Sequence, residues 1–223
     1  MKTASLQKLQ RNLGKPYEDL QFLLTALKET LEENGEPGIA VDIPWINEEW
    51  EVKPEHFTNK HIQLYSIIFQ LINIVETNAA VQSRRKLEEE ELAAVNGLWA
   101  RNLQRLKRAG ITQDEILEEL PKIDIEPVLT AHPTEAKRTT VLEHHRELYL
   151  LMVQRENRMF TKYELKNIRD EMKRTLYRLW KTGEIFLEKP DLKSEFSNIL
   201  HYLVNVFPEV LPILDRRFVQ AWE

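Results

Sequence analysis

One short stretch of the sequence combines residue types that can do chemistry: Val128–Thr140, VLTAHPTEAKRTT. It places His132 between an alanine and a proline, and Arg138 follows further along. An imidazole titrates near neutral pH and can therefore take or give a proton during a reaction. A histidine and an arginine beside a helix N-terminus also suit a phosphate or a carboxylate. An isolated His-Pro pair is also typical of a packed structural histidine, so these residues alone leave both interpretations open.

Two predicted elements would position His132. Before it, Ile123–Leu129 (IDIEPVL) alternates apolar and polar residues over the length of a strand, with a proline near each border. After it, residues 136–152 have helical period, and Thr134 can cap that helix. His132 would then lie after a strand and before a helix, where α/β enzymes place their ligand sites. Arg138, one turn into the helix, can point back towards the same place.

The predicted strand near residues 123–131 has no convincing partner elsewhere in the sequence. Pro127 favours a sheet edge or a strand start, so the strand can be as short as Val128–Ala131. Unpaired buried backbone groups cost about 1–3 kcal/mol each, so an isolated strand needs a neighbour. Either the segment is an extended connector, or its sheet lies in sequence beyond these 223 residues.

The last residues favour the second alternative. The chain ends FVQAWE, inside a helical pattern, and we expect Phe218, Val219 and Trp222 to be left unburied. We therefore interpret the chain as a fragment. The predicted organisation is an N-terminal helix and a connector with prolines and tryptophans in residues 1–60. A helical region in residues 61–223 follows, which contains the strand and the His132 motif in one incomplete domain.

Nearly all other segments have helical period. Apolar residues at spacings of three and four predict helices over Leu20–Leu31, Ile62–Val75, Leu92–Leu106, Leu165–Leu179 and Ser194–Val206. Capping-box patterns mark two helix starts, at 112–115 and 161–164, and Gly183 stands where a C-terminal cap belongs. The most apolar run, Ile62–Val75, predicts a helix that is buried on most sides.

Composition excludes several classes of protein. The chain is 42% hydrophobic and 30% charged, which is typical of a globular protein. Its net charge of −5 argues against a nucleic-acid-binding protein, and the absence of cysteine excludes disulfides and thiolate metal sites. The N-terminus has no apolar signal core, and the run Ile62–Val75 is shorter than the roughly 18 residues of a membrane span. We expect a cytoplasmic protein without membrane contact.

The remaining histidines do not predict a metal site. His144 and His145 are adjacent in a predicted helix, so their side chains point about 100° apart, unlike the i, i+4 pair of helical zinc sites. We expect structural or surface roles for both. His56, His61 and His201 have no identifiable partners for binding a ligand.

The stretch Thr130–Thr140, TAHPTEAKRTT, resembles the histidine signature of the phosphoenolpyruvate carboxylase family, usually T-A-H-P-T-E-A-x-R-R-T. The single departure is Thr139, where the family has its second arginine. Weaker similarity extends from about Ile62 to Arg217, including FQLINIVETNAA (Phe69–Ala80) upstream.

Two later stretches are similar to the family in part. In a stretch written W-x-T-D-E-I-R, the matching residues are Trp180, Thr182, Glu184 and Ile185, whereas Gly183 and Phe186 replace the acid and the arginine. In E-N-S-L-W-x-x-V-P-x-x-L-R-R, the matching residues are Asn205, Pro212, Arg216 and Arg217, whereas Val204 and Pro208 replace the glutamate and the tryptophan.

The resemblance implies a fold and a reaction. The fold is mostly α, the helical N-terminal portion of a carboxylase-type α/β barrel, with the strand near 123–131 as its first barrel strand. Such enzymes convert phosphoenolpyruvate and bicarbonate to oxaloacetate and phosphate, with Mg²⁺ or Mn²⁺ bound. Their signature histidine is assigned to the carboxyphosphate stage of the reaction. That catalytic role falls here on His132, and Arg138 becomes a neighbour that binds substrate.

The resemblance also implies partners. The metal ligands and the other walls of the site would come from the remainder of the same polypeptide, so we expect these 223 residues alone to be inactive. The intact protein would be a homo-oligomer, a tetramer by resemblance, that binds neither nucleic acid nor membrane. The departures at Thr139, Gly183 and Phe186 leave an alternative from another class: a non-catalytic, carboxylase-like helical module with a regulatory or assembly role.

Overall fold

The computed structural model describes residues 2–46, 57–95, 99–124, 126, 139–183 and 191–222. This part of the chain is mostly helical and holds no strand, which confirms the helical part of the predicted fold class. Of the predicted strand near 123–131, only Ile123, Asp124 and Glu126 are described, and they lie in neither a helix nor a strand. The other residues of that segment lie outside the described residues, so the strand and its barrel stay predictions.

The helices of the described residues follow one another in short steps. The α-helices are α1 (Lys2–Leu13), α2 (Lys15–Glu33), α3 (Pro37–Ala40), α4 (Asn59–Glu90), α5 (Trp99–Arg108), α6 (Gln113–Glu119), α7 (Thr139–Arg155), α8 (Lys162–Thr182), α9 (Leu192–His201) and α10 (Phe207–Trp222). Short 3-10 helices occupy Leu92–Ala94 and Leu120–Lys122, and a π-helical turn, Tyr202–Val206, joins α9 to α10.

The chain divides into two compact units. The first unit comprises Met1–Ala80 and Lys137–Leu187, and the second comprises Val81–Ala136 and Glu188–Glu223. The predicted division of the sequence at residues 60 and 61 stays a prediction.

Leucine stripes build the core of the first unit. The α2 stripe lies at spacings of three and four, as predicted, and its buried leucines are Leu20, Leu23, Leu24, Leu27 and Leu31. Helix α8 packs against both α2 and α7, and it contributes Ile168, Met172, Leu176 and Leu179. Each fully buried side chain of this size stabilises the fold by about 1.5–3 kcal/mol. Trp45 of the predicted connector packs against the same core, whereas Trp50 lies outside the described residues.

Helix α4 is longer than predicted. It extends beyond the apolar run, and an 18-residue window with mean hydropathy 1.3 makes it long and apolar enough to cross a membrane by length and composition alone. Core helices of globular proteins meet the same weak criterion. Over the run Ile62–Val75, α4 is covered on most sides, as predicted: Leu64, Ile67 and Leu71 face the core, and the exposed side chains of the run, Phe69 among them, share one narrow face.

Both predicted capping boxes are present. At the start of α8, the Glu164 backbone N–H donates to Thr161 Oγ1 at 3.3 Å, and the Thr161 N–H donates to Glu164 Oε2 at 2.7 Å. Thr112 and Glu115 repeat this arrangement at the start of α6. The backbone hydrogen bond from the threonine lowers the pKa of each glutamate below its usual value. These local bonds define where the two helices begin.

The second unit corrects three predictions. The stripe Leu92–Leu106 is not one helix, because α5 begins only at Trp99; the sequence between holds Asn96-Gly97, a pair that favours turns. Phe218 and Trp222 are half-buried rather than unburied, since Phe218 packs edge-to-face on Trp99 with ring centroids 5.0 Å apart. The pattern Ser194–Val206 is α-helical only to His201 and then becomes a π-helical turn.

Candidate active-site motif and its supporting helix

The two predicted site residues, His132 and Arg138, lie outside the described residues. The roles of both residues stay predictions. The described chain reaches the motif from both ends. Upstream, the 3-10 helix Leu120–Lys122 ends in Ile123, which has an extended backbone. Downstream, α7 begins at Thr139, the tenth residue of the signature stretch.

Helix α7 ties the end of the motif to the core of the first unit. Val141, Leu148, Leu151 and Met152 are buried, and the helix packs against α8. The helical period after the motif predicts that Val141, Leu142, Leu148 and Leu151 are buried. Three of them are, while Leu142 is half-buried. Helix α7 is thus held against the core of the first unit from Val141 to Met152.

A charged layer on the surface fixes α7 against α8. The Arg178 guanidinium donates to the two carboxylate oxygens of Glu147, at 2.9 and 2.8 Å, and to Thr175 Oγ1 at 2.9 Å. His144 lies beside this layer, with Nδ1 4.0 Å from Glu147 Oε2. Burial lowers the pKa of His144, and the charge of Arg178 acts in the same direction. A neutral imidazole in such a place fits the structural role predicted for it.

His61 has protein partners that sequence spacing did not reveal. It is 5% exposed, and its Nε2 donates to Asp42 Oδ2 at 2.9 Å. Its Nδ1 accepts from the Thr58 backbone N–H at 3.1 Å and from Thr58 Oγ1 at 2.8 Å. Thr58 precedes α4, so His61 takes the place that a glutamate occupies in a capping box. Stacking of Phe57 on the ring, at 5.4 Å, completes a structural site.

The described residues do not fit a divalent cation. Among them, no group of three or more histidine, aspartate or glutamate side chains is arranged to hold a metal ion.

Gly183, one of the departures from the family pattern, has a conformational reason. It ends α8 with φ 68° and ψ 146°, and its N–H donates to the carbonyl of Leu179 at 3.1 Å. That region of backbone space is open to glycine and very costly for other residues. The preceding Trp180 is buried, and its carbonyl accepts a hydrogen bond from Gln63. Glu184, Ile185 and Phe186 of the same stretch lie outside the described residues.

The stretch around Asn205 forms contacts within the second unit. Asn205 lies in the π-helical turn, with its Nδ2 3.2 Å from His201 Nδ1. Pro212 lies inside α10, and Arg217 donates to Glu88 Oε2 at 2.6 Å. Glu88 is largely buried, and its Oε1 has no partner among the described residues. Of these matching residues, Arg217 therefore connects α10 to the end of α4.

One charged cluster in the first unit was missed by the sequence interpretation. Asp19 is 4% exposed and accepts from Lys15 Nζ at 2.6 Å and from Arg155 at 2.9 Å. Lys15 also donates to Glu156, at 2.7 Å. The available signal was the i, i+4 pair of Lys15 and Asp19 directly before the leucine stripe, because a carboxylate on an apolar face needs a cation.

Comparison with known proteins gives matches to the same family that the signature stretch resembles. The sequence profile of the phosphoenolpyruvate carboxylase family matches residues 43–223, a longer range than the motifs had suggested. The carboxylase of Methylorubrum extorquens is 36% identical over 166 residues, which are 72% of this chain and 18% of that protein. The carboxylase of Xanthomonas campestris pv. campestris is 32% identical over 164 residues, with 73% and 18% covered.

A third relative shows a similar level of identity. The carboxylase of Gloeobacter violaceus is 30% identical over 162 residues, covering 72% of this chain and 17% of that protein. No solved structure matches the chain. The chain spans less than a fifth of the length of these curated relatives. The profile match covers most of the chain and includes the whole signature, so the chain belongs to the phosphoenolpyruvate carboxylase family.

Proposed function

We propose that the chain is the N-terminal part of a phosphoenolpyruvate carboxylase. The intact protein would be a carbon–carbon lyase that converts phosphoenolpyruvate and bicarbonate to oxaloacetate and phosphate. The signature Thr130–Thr140, inside the region that matches the family, carries this proposal. The chain would supply the helices that precede the barrel, its first strand and His132, and it would be inactive alone.

The reaction assigns a proton-transfer role to His132. A bicarbonate oxygen attacks the phosphorus, the bond to the enol oxygen breaks, and carboxyphosphate and the enolate of pyruvate result. His132 accepts the proton of the carboxyphosphate acid group, which then splits into carbon dioxide and phosphate. The enolate carbon attacks carbon dioxide and forms oxaloacetate. An imidazole suits this step because its pKa lies near working pH, and Arg138 would neutralise the phosphoryl oxygens.

The other parts of the site would come from the remainder of the polypeptide. Mg²⁺ or Mn²⁺ bound there would neutralise charge on the substrate oxygens. Exposed apolar side chains in the second unit support contact with further protein surface, since large exposed apolar patches mark interaction sites. They include Leu192, Phe196, Leu203, Val204, Leu211 and Leu214. We further propose that the intact protein is a cytoplasmic homo-oligomer, a tetramer as in the family.

Substitution of His132 in the intact protein tests the assigned role. His132→Ala should lower the rate of oxaloacetate formation by about two to four orders of magnitude, the usual contribution of a general base. His145→Ala, on the helix that follows the motif, is the matched control and should retain normal turnover. Circular dichroism checks that both variants keep the helical fold. Near-normal turnover of His132→Ala would refute the role.

The departures at Thr139 and Phe186 favour a second candidate, a non-catalytic module with a regulatory or assembly role. Gly183 gives it less support, because the end of α8 explains that residue. The discriminating measurement is oxaloacetate formation by the unmodified intact protein with phosphoenolpyruvate, bicarbonate and Mg²⁺. No activity together with a folded protein would favour the module.

A further inference from the structure

A groove of about 630 Å³ lies in the first unit, between the start of α2, the end of α7 and the first half of α8. We call it the basic groove after the cations that line it: Lys15, Arg155, Arg158, Lys162, Lys166 and Arg169. Its volume falls within the roughly 300–1,000 Å³ of small-molecule sites.

The charge of the basic groove is opposite to that of the chain. Its six cations face three acids, Glu18, Asp19 and Glu156, while the whole chain has a net charge of −5. A concave surface with one excess sign concentrates ions of the other sign near it. The groove therefore favours anions, although the protein as a whole repels them.

Two cations of the basic groove, Lys15 and Arg155, are balanced by two of its acids, Asp19 and Glu156; we call these four residues the floor of the groove. The buried carboxylate of Asp19 holds Lys15 and Arg155, and Glu156 holds Lys15 and accepts from Asn78 Nδ2 at 2.8 Å. Burial works against the charge of Lys15, but its hydrogen bonds to Asp19 and Glu156 raise its pKa above the usual value. These bonds fix the floor and leave the excess charge on the rim.

Two guanidinium groups flank an aromatic ring at the same place. The Arg155 Cζ lies 4.0 Å from the centroid of the Phe22 ring, and the Arg169 Cζ lies 5.4 Å from it. Arg169 also donates to Glu29 at 2.5 Å. Stacking and pairing hold both planar groups in a fixed orientation, which reduces the entropy lost when an anion binds nearby.

The rim of the basic groove consists of three exposed cations, Arg158, Lys162 and Lys166. Among the described residues, they have no hydrogen-bond or ion-pair partner. Lys162 and Lys166 lie one turn apart on α8 and thus share a face. Their charges stand next to each other without the acids that balance cations elsewhere in the unit.

We propose that the basic groove binds a small ligand with at least two acidic groups, phosphoryl or carboxylate. Arg158, Lys162 and Lys166 provide its charge partners, and the fixed guanidinium groups of Arg155 and Arg169 border the site. A ligand with two acidic groups matches a rim whose three cations extend over more than one helical turn. This site involves neither His132 nor the proposed reaction, so it can be tested without turnover.

Isothermal titration of the 223-residue chain with pyrophosphate, and separately with citrate, tests the proposal at low ionic strength. We expect saturable binding of at least one probe. The double variant Lys162→Gln/Lys166→Gln should weaken it about ten-fold, since it removes two of the three exposed charge partners and each exposed ion pair contributes modestly. The matched control Lys107→Gln/Lys193→Gln removes two exposed lysines of the second unit and the same net charge. It should bind like the unmodified chain.

The two probes distinguish the acidic group. Tighter binding of pyrophosphate assigns the site to phosphorylated ligands, and tighter binding of citrate assigns it to carboxylates. The proposal is overturned if neither probe gives saturable heat, or if the groove variant and the control variant weaken binding equally. Since all four lysines are exposed, the variants should keep their helical circular dichroism spectra.

Discussion

The two units of the molecule use the same sequence pattern with different results. In the first, the apolar stripe of α2 is covered, and Leu23 and Leu27 are fully buried. In the second, α9 and α10 have apolar residues at similar spacings, yet Leu211 is 59% exposed and Leu214 is 54% exposed. Periodicity thus predicts a helix and its apolar face, but it does not predict what covers that face.

The largest expected effect comes from shortening one leucine in each unit. Leu27→Ala should reduce the free energy of unfolding by about 2–5 kcal/mol, because it leaves a cavity in a packed core. Leu211→Ala should change it by no more than about 0.5 kcal/mol, as at other exposed positions. Urea titrations of the same chain measure both. Equal losses would show that the α10 face is covered in solution.

The second-largest loss of stability should come from removing the buried charge of Asp19 in the first unit. Asp19→Asn removes the negative charge and replaces one of the two oxygens that accept from Lys15 and Arg155 with an NH2 donor. It should cost about 1.5–3 kcal/mol, the range for hydrogen bonds to charged groups. Asp114→Asn, an exposed aspartate of the second unit, is the control and should be nearly neutral. Urea midpoints at neutral pH give the difference. A neutral Asp19→Asn would mean that water replaces the carboxylate.

Gly183→Ala tests the backbone at the end of α8. Since the native φ of 68° disfavours a side chain, we expect a loss of about 1–2 kcal/mol. Nothing lies within 4 Å of a Cβ at Gly38, where φ is not positive, so Gly38→Ala should be neutral or stabilising. Thermal unfolding followed by circular dichroism compares the two. If both alanines behave alike, the conformation at Gly183 is not the reason for its glycine.

Substitutions in the capping boxes should have the same effect on stability in both units. Thr161→Ala and Thr112→Ala each remove an N-cap acceptor and should each cost about 1 kcal/mol. The effect is local and does not depend on core burial, so we expect similar values in both units. Urea unfolding of the two variants is the measurement. A loss in only one unit would show that the other helix start is held by different contacts.

The smallest effect concerns pH. Burial and Arg178 lower the pKa of His144 in the folded chain, so the unfolded chain binds this proton more readily. Above the unfolded pKa of about 6.5, the protonation of His144 does not change the free energy of unfolding. As the pH drops through that value towards the lower folded pKa, the unfolded chain takes up the proton first and stability falls. His144→Gln should therefore show less destabilisation between about pH 7.5 and about pH 5.5 than the unmodified chain. Urea midpoints of both proteins, measured over this pH range, give the dependence of stability on pH. The same dependence in the variant and in the unmodified chain would contradict this account.

Local signals were sufficient for much of the fold. The stripe of α2, both capping boxes and the cap at Gly183 depend on residues within a few positions of each other, and all are confirmed. The signature itself identified the family, because many specified positions in one short stretch rarely coincide by chance. The strand, His132 and Arg138 remain predictions.

Long-range pairs could not be predicted in this way. Glu88 lies in a run of glutamates that favours a solvated face, yet it pairs with Arg217, far along the chain. Arg155 and Asp19 meet only because α7 and α2 are held in one unit. Such pairs depend on how helices pack, and hydrophobic period does not contain that information.

The π-helical turn Tyr202–Val206 determines the rotation of α10 about its axis, and thus which of its side chains face α4 and α5. A π-helical turn inserts an extra residue into the α-helical hydrogen-bond pattern. Deleting one residue there would let the two flanking helices merge at regular α pitch and would turn the C-terminal helix by about 100° about its axis. Arg217 and Phe218 would then rotate away from Glu88 and Trp99, so one surplus residue decides which side chains the C-terminal helix presents to them.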